Sequence, residues 1–311
     1  MENIISVTIP FFALIGCGYL AGRSPLFSAD AVRGLNAFVW NFALPCLIFR
    51  ALALRPLAEL IEFEYMAAYA VTGWTVYILT AAMGRVLFKT NLGVAVIQGQ
   101  AACVSNIGYM GLPLLIALFG DAATIPAVLA MLVDMFFIQS PSMALLEANR
   151  HTGAARMAMV ARIVGGFLRN PFIISMALGV GVSALQLPLP GPIDSFTGLL
   201  AAATAPCALF AVGASLAGRP IADRFSEVAF MSGCKLFLHP LIAWVMMFMV
   251  FDIDTQWATI AVLGAALPVG GNIFVVAHNF GVYSVRASTA IIVSTALAVV
   301  TFSALVGMVT L

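Results

Sequence analysis

Charge is what this sequence has least of. Only 9% of its 311 residues are Asp, Glu, Lys or Arg and 63% are apolar, against about 25% charged and about 45–50% apolar in a soluble domain. A soluble globule of this length cannot hide so much apolar surface, which excludes a single-domain soluble enzyme. No polar stretch is long enough to form a second domain. The net charge of +1 gives no basic footprint, so no nucleic-acid partner is expected. The five cysteines, Cys17, Cys46, Cys103, Cys207 and Cys234, form no CxxC pair and lie in apolar stretches. They read as small buried hydrophobes rather than metal ligands or a disulfide framework. A GxxxxGK[ST] phosphate loop is missing, which argues against direct use of ATP. No cofactor and no metal are expected.

What is present is a series of long uncharged runs. About 20 apolar residues rising 1.5 Å each cross a bilayer core of about 30 Å. The first run, Asn3–Gly22, lacks a basic leader and reads as a membrane span rather than a cleaved signal. Further spans are expected at Gly34–Phe49 (extended to Ala29 and Leu54), Tyr65–Gly84, Thr90–Gly120 and Ala122–Leu146. The second half of the chain gives Asn170–Leu187, Ser195–Gly218, Leu236–Phe251 (beginning near Ser226), Thr255–Val285 and Ala287–Leu311. None alternates apolar and polar residues as a barrel strand does. The expectation is therefore an all-α integral membrane protein of ten helices. With the N-terminus outside, Arg23, Arg33, Arg85, Lys89, the loop from Glu147 to Arg169 (with Arg150, Arg156 and Arg162), Arg219, Arg224 and Arg286 all fall inside. Only Arg50 and Arg55 then face out. Both termini are expected outside.

The chain also repeats itself. A shift of 161 residues carries Pro10-Phe11 to Pro171-Phe172, Gly18 to Gly179, Pro45-Cys46 to Pro206-Cys207, Phe49 to Phe210 and Phe119-Gly120 to Phe280-Gly281. The units are 1–150 and 151–311, with five spans each. An odd number of spans inverts the second unit, as in many secondary transporters with midplane sites. The fourth and ninth spans sit in two 31-residue uncharged runs, Thr90–Gly120 and Thr255–Val285. Each carries breakers in its middle: Asn106, Gly108, Gly111 and Pro113 in one, Pro268, Gly270, Gly271 and Asn272 in the other. Unwound backbone at membrane depth must be covered by protein or line a cavity. Two such breaks in matched positions predict two broken helices that cross and offer half-helix N-termini, with the Asn106 and Asn272 amides, to an anion. Taken singly, either run would read equally well as an ordinary kink.

These residues resemble the auxin efflux carrier family, which includes the plant PIN carriers and bacterial malonate carriers. The features are Ala43-Leu44-Pro45, the run from Asn106 to Pro113, Asn170-Pro171, Pro206 with Gly213, Lys235 with Pro240, and Pro268 through Asn272. The resemblance spans the chain. It implies two inverted five-helix repeats like the bile-acid symporter fold, with helices 1, 2, 6 and 7 as scaffold and helices 3–5 and 8–10 as a mobile transport domain. It further implies a homodimer in a bacterial inner membrane and carriage of a small organic carboxylate, malonate or a similar dicarboxylate. The large loop of the long plant carriers is absent.

Ionisable groups inside the membrane are functional candidates by default. Asp134 is expected to be the only acid deep in a span, five residues before Gln139; it reads as a proton carrier, a sodium ligand or a structural acid. Lys235 has three readings: pairing with Asp134, binding a substrate carboxylate, or snorkelling inward. It lies one turn from His239. His278 suits proton coupling or an interfacial position. Asn41, one turn before Pro45, is expected to reach the cavity. Arg50 and Arg55 read as interfacial anchors more than as anion attractors. A dicarboxylate has two charges, yet no arginine is central. Helix termini, amides, Lys235 or an accompanying H+ or Na+ would share the neutralisation, and a monocarboxylate would strain the site less. The leading function is a secondary carrier working by elevator-type alternating access. The alternatives are a monocarboxylate or auxin-like efflux carrier, a passive anion channel, or an intramembrane enzyme. The single deep acid speaks against the last.

Overall fold

The computed structural model describes residues 2–148, 165, 169–219, 221–222 and 225–309. Arg150, Arg156, Arg162 and Arg224 lie outside the described residues. Among the described residues every named element is helical, and a single β-bridge joins two helix breaks. In chain order the helices are α1 (Glu2–Gly22), α2 (Ala29–Ala53), α3 (Phe63–Phe88), α4 (Leu92–Cys103), α5 (107–119) and α6 (124–148). Then follow α7 (Pro171–Ala184), α8 (Gly191–Leu216), α9 (Phe225–Val250), α10 (Thr255–Ala265), α11 (Asn272–Asn279) and α12 (Ser284–Val309). Among the described residues, six helical stretches are long and apolar enough to cross a membrane: Ala29–Ala53, Phe63–Phe88, Ile107–Glu147, Gly191–Leu216, Phe225–Val250 and Ser284–Val309. Helical segments occupy each uncharged window of the sequence. Outward positions are themselves apolar: Leu20, Val86, Leu199 and Val300 are each at least 68% exposed, a surface that suits lipid rather than water.

Four helices widen into a π turn that closes two residues before a proline. The turns are Val39–Ala43 before Pro45, Ile107–Gly111 before Pro113, Val133–Gln139 before Pro141 and Cys234–Leu238 before Pro240. Proline has no N–H for the carbonyl four residues back, and its ring pushes that carbonyl away. In each case the residue before the proline donates to the carbonyl five back: Leu44 to Val39, Leu112 to Ile107, Ser140 to Met135 and His239 to Cys234. Such bulges recur at functional sites. Asp134, Gln139, Lys235, Gly108 and Gly111 all sit in these four turns.

Glycine sets two close helix contacts. A Cβ on Gly18 of α1 would overlap the Phe210 carbonyl of α8, and one on Gly213 of α8 would overlap the Ile15 carbonyl of α1. On the other pair, a Cβ on Gly179 of α7 would come within 2.9 Å of the Phe49 carbonyl of α2. Small residues permit this backbone approach in membranes. Gly213→Ala is expected to force α1 and α8 apart and to lower stability by about 1–3 kcal/mol. Gly233→Ala, where a Cβ meets nothing within 4 Å, is expected to be neutral or better. Thermal unfolding in detergent reads both.

The cysteine expectation needs one correction. Cys103 and Cys234 are buried, but Cys46 and Cys207 are half-buried and Cys17 is exposed on α1; an apolar environment outside the chain suits a thiol as well as a protein core does.

Candidate functional site at the crossing of two broken helices

The chain unwinds at Val104–Asn106, between α4 and α5, and again at 266–271, between α10 and α11. The two breaks meet. Ser105 and Val269 form an antiparallel bridge. The Asn106 N–H donates to the Pro268 carbonyl and the Gly270 N–H to the Val104 carbonyl, both at 3.1 Å. Buried backbone groups that leave a helix must find other partners, and here each break supplies the other's. The crossing lies where two cores join. Ile107 and Leu267 pack with Ile48, Met110 and Phe302. Val104 and Val269 pack with Ile97, Ile138 and Ile273.

Behind the crossing is a buried polar network. Lys235 is 0% exposed. Its ammonium donates to Ser105 Oγ at 2.8 Å and to the Ala265 carbonyl at 2.6 Å, and lies 2.9 Å from His239 Nδ1. Asp134, also buried, accepts from the Ser105 N–H at 3.3 Å through Oδ2. Ser105 therefore stands between the acid and the ammonium and ties both to the break. The His239 ring lies 6.4 Å from that of Tyr69 on α3. Asp134 Oδ1, the Tyr69 hydroxyl and His239 Nε2 have no hydrogen-bond partner among the described residues. Lys235 does not snorkel.

The crossing is open at Gly271. Gly271 is exposed, and a Cβ there would meet nothing within 4 Å. Asn272 begins α11 and donates through Nδ2 to Gln139 Oε1 at 2.6 Å. No side chain caps α11, and none caps the π turn that begins at Ile107. Gly108 is half-buried beside Leu44 and Met131. The remaining sequence candidates shape the breaks. Pro113 and Pro268 are buried, Gly111 packs on Leu267, and Asn106 and Gly270 hold the backbone pairing.

One expectation changes, one of two readings of His278 gains support, and a further buried acid comes into view. Asn41 is exposed and bonds only its own helix, at the Ala37 carbonyl, so it does not join the crossing. It lies inside a π turn, where the extra residue rotates side chains away from the face that a regular helix would give. His278 is exposed near the far end of α11, stacked on Phe274 at 5.7 Å, apart from Asp134 and Lys235. Asp134 lies in mid-span as expected, and a second acid is buried near a span end: Glu227 on α9 is 2% exposed. Glu227 accepts from the Tyr283 hydroxyl at 2.5 Å and from Arg286 at 3.2 Å, while Gln98 donates to that hydroxyl at 3.2 Å. This group clamps α4 and α9 to the start of α12. Its sequence signal was an acid and an arginine at the same end of two spans.

Arg50 and Arg55 are anchors. Arg50 bonds Asp194 and Thr197 on α8. Arg55 donates to the Asp121 carbonyl at 2.8 Å and lines a cleft of about 290 Å³ with Glu59, Glu62, Gln256 and Trp257.

Comparison with known proteins bears on what this site serves. A family model described as "Membrane transport protein" matches residues 3–306. The chain is 33% identical to the "Putative malonate transporter" of Rhizobium meliloti (strain 1021), over 98% of this chain and 95% of that protein. It is 25% identical to the "Uncharacterized transporter YfdV" of Escherichia coli (strain K12), over 92% of this chain and 91% of the other. The mouse "Lysosomal cholesterol signaling protein" is 23% identical over 95% of this chain but only 36% of its own length, so there the matching unit is part of a larger protein.

Proposed function

The chain belongs to the membrane transport protein family, the auxin efflux carriers, and on that premise we propose that it is a secondary carrier of small organic carboxylates, malonate or a close dicarboxylate first among them. The observation that carries this reading is the asymmetry of the crossing. It holds a buried ammonium at Ser105, and at its exposed Gly271 end it presents an uncapped helix start and the Asn272–Gln139 amide pair. An anion on the open side meets N–H groups, the positive ends of helix dipoles and the field of Lys235 without displacing a protein carboxylate. The malonate-transporter name of the 33% identical relative points to the same substrate.

Ten spans in two inverted repeats, moving by an elevator mechanism, are part of the proposal. Two contacts support it. The shift of 161 turns the Gly18–Phe210 contact into the Gly179–Phe49 contact, each made across the two halves. That exchange is what an inverted repeat requires. It pairs α1 with α8 and α2 with α7, a scaffold against which α3–α6 and α9–α12 would move. The distribution of Lys and Arg supports a bacterial inner-membrane orientation with both termini outside. A homodimer remains part of the reading through the family alone.

The coupling ion proposed is the proton rather than sodium. Ser105 Oγ and the Ala265 carbonyl accept from Lys235, so the buried cation at this break is already an ammonium. Asp134 and His239 are then groups able to exchange a proton with the site. Purified protein in liposomes is expected to take up labelled malonate saturably, to be blocked by excess unlabelled malonate, and to respond to an imposed proton gradient. Response to sodium alone would replace the proton in this account. Absence of carboxylate uptake or binding by folded protein would remove the carboxylate reading.

A further inference from the structure

The carboxylate reading leaves one charge unanswered: a dicarboxylate brings two, and the crossing offers one set of helix starts. We propose that Arg219 supplies the second contact, binding the outer carboxylate of the substrate and so selecting dicarboxylates over monocarboxylates. The inference rests on the carriage proposed above.

Other arginines lining helix junctions are engaged. Arg50 is held by Asp194, Arg55 by the Asp121 carbonyl and Glu59, and Arg286 by Glu227. Arg219 meets no such acid among the described residues. It follows α8, and its Nε donates to the Ser215 carbonyl of that helix. Its guanidinium carbon lies 4.8 Å above the Phe274 ring of α11. Nη1 is shielded from solvent and meets no acceptor among the described residues. Burial lowers its pKa. A shielded guanidinium N–H without an acceptor is unfavourable by itself, which the ordinary reading, a cation capping the end of α8, does not require.

Position gives that N–H a use. Phe274 lies three residues beyond Gly271, on the same face of α11 and about 4.5 Å along its axis at 1.5 Å per residue. Gly271 is the open end of the crossing. An anion whose first carboxylate sits at Gly271 and Asn272 would therefore direct a second one toward Arg219. The planar fork suits a carboxylate, and the ring beneath holds the guanidinium flat while leaving its edge free. The contact also joins the α8 end to α11, so a dicarboxylate would touch both the scaffold and the body that moves against it.

The test compares malonate with monomethyl malonate, which differs by one masked carboxylate. In wild-type proteoliposomes, each is measured as substrate or as competitor of labelled malonate. Arg219→Gln is expected to weaken malonate about 10- to 100-fold, the worth of a charge-assisted hydrogen bond, and monomethyl malonate by no more than about twofold. Arg219→Lys should fall between, because it keeps the charge and loses the fork. The ratio of the two acids within one variant is insensitive to how much of that variant folds. Equal losses for both acids, or no loss for either, would overturn the proposal while carriage stands. If wild-type protein binds neither acid, the carriage reading fails and this one with it, and that result needs no variant.

Discussion

Lys235→Met is expected to abolish transport and to destabilise the protein by far more than a surface charge would. The ammonium is the donor for Ser105 Oγ and the Ala265 carbonyl, and it neighbours His239 Nδ1. Removing it leaves those acceptors without their donor beside the backbone bridge of Ser105 with Val269. It also strands the Asp134 carboxylate in the core with only the Ser105 N–H opposite. Breaking a buried ionic network at one partner typically costs about 3–5 kcal/mol, because an uncompensated charge remains. Replacing both charges is a different matter. Asp134→Asn with Lys235→Met should be more stable than the sum of the single changes requires, since the stranded charge is gone. Thermal unfolding of the two single variants and the double variant in detergent gives the coupling directly. Strict additivity would mean that Asp134 and Lys235 do not sense each other across Ser105. Transport should stay absent in the double variant, because neither proton exchange nor the cationic field survives.

Much of this architecture was legible because charge is so scarce. Each charged residue marks an edge, so the uncharged windows delimited the helices to within a few residues. The paired breaks were legible because glycine and proline cluster in only two of the long runs, and the structure brings both clusters to one bridge at Ser105 and Val269. The joining of Asn272 with Gln139, and of Lys235 with Ser105, was not. These contacts link residues more than a hundred positions apart and depend on how the helices cross.

Asn41 shows a different limit. Counting turns of 3.6 residues back from Pro45 aims it inward, but a proline followed back through two residues ends a π turn, and the count must be changed there. The same pattern stands before Pro113, Pro141 and Pro240, at the turns that carry Gly108, Asp134 and Lys235, while Pro10 inside α1 has no such turn before it. Glu227 and Tyr283 escaped because an acid near a span end reads as solvated unless its partner is known.

Asn272→Asp is expected to leave the fold intact and to reduce transport of anions by at least about 100-fold. The substitution changes one atom and little volume. A carboxylate at the first position of α11 faces that helix's free N–H groups, where a negative charge is favourable by about 0.3–1 kcal/mol. It loses the donor to Gln139 Oε1, a loss that a flip of the Gln139 amide can offset by presenting its NH₂. Stability should hence be unchanged or slightly higher. For an anionic substrate the balance is reversed. Two unit charges about 4 Å apart repel by about 4 kcal/mol at an effective dielectric constant of about 20, close to three powers of ten in affinity. Asn272→Ala, which removes the amide without adding charge, should lose far less, and the difference between the two isolates the electrostatic part. Equal uptake by Asn272→Asp and wild type, at equal amounts of folded protein, would remove the start of α11 from the path of the anion. A variant that folds as well as wild type yet rejects anions would mean that the uncapped helix start serves the ligand rather than the fold, since the fold would gain from the very charge that the ligand cannot tolerate.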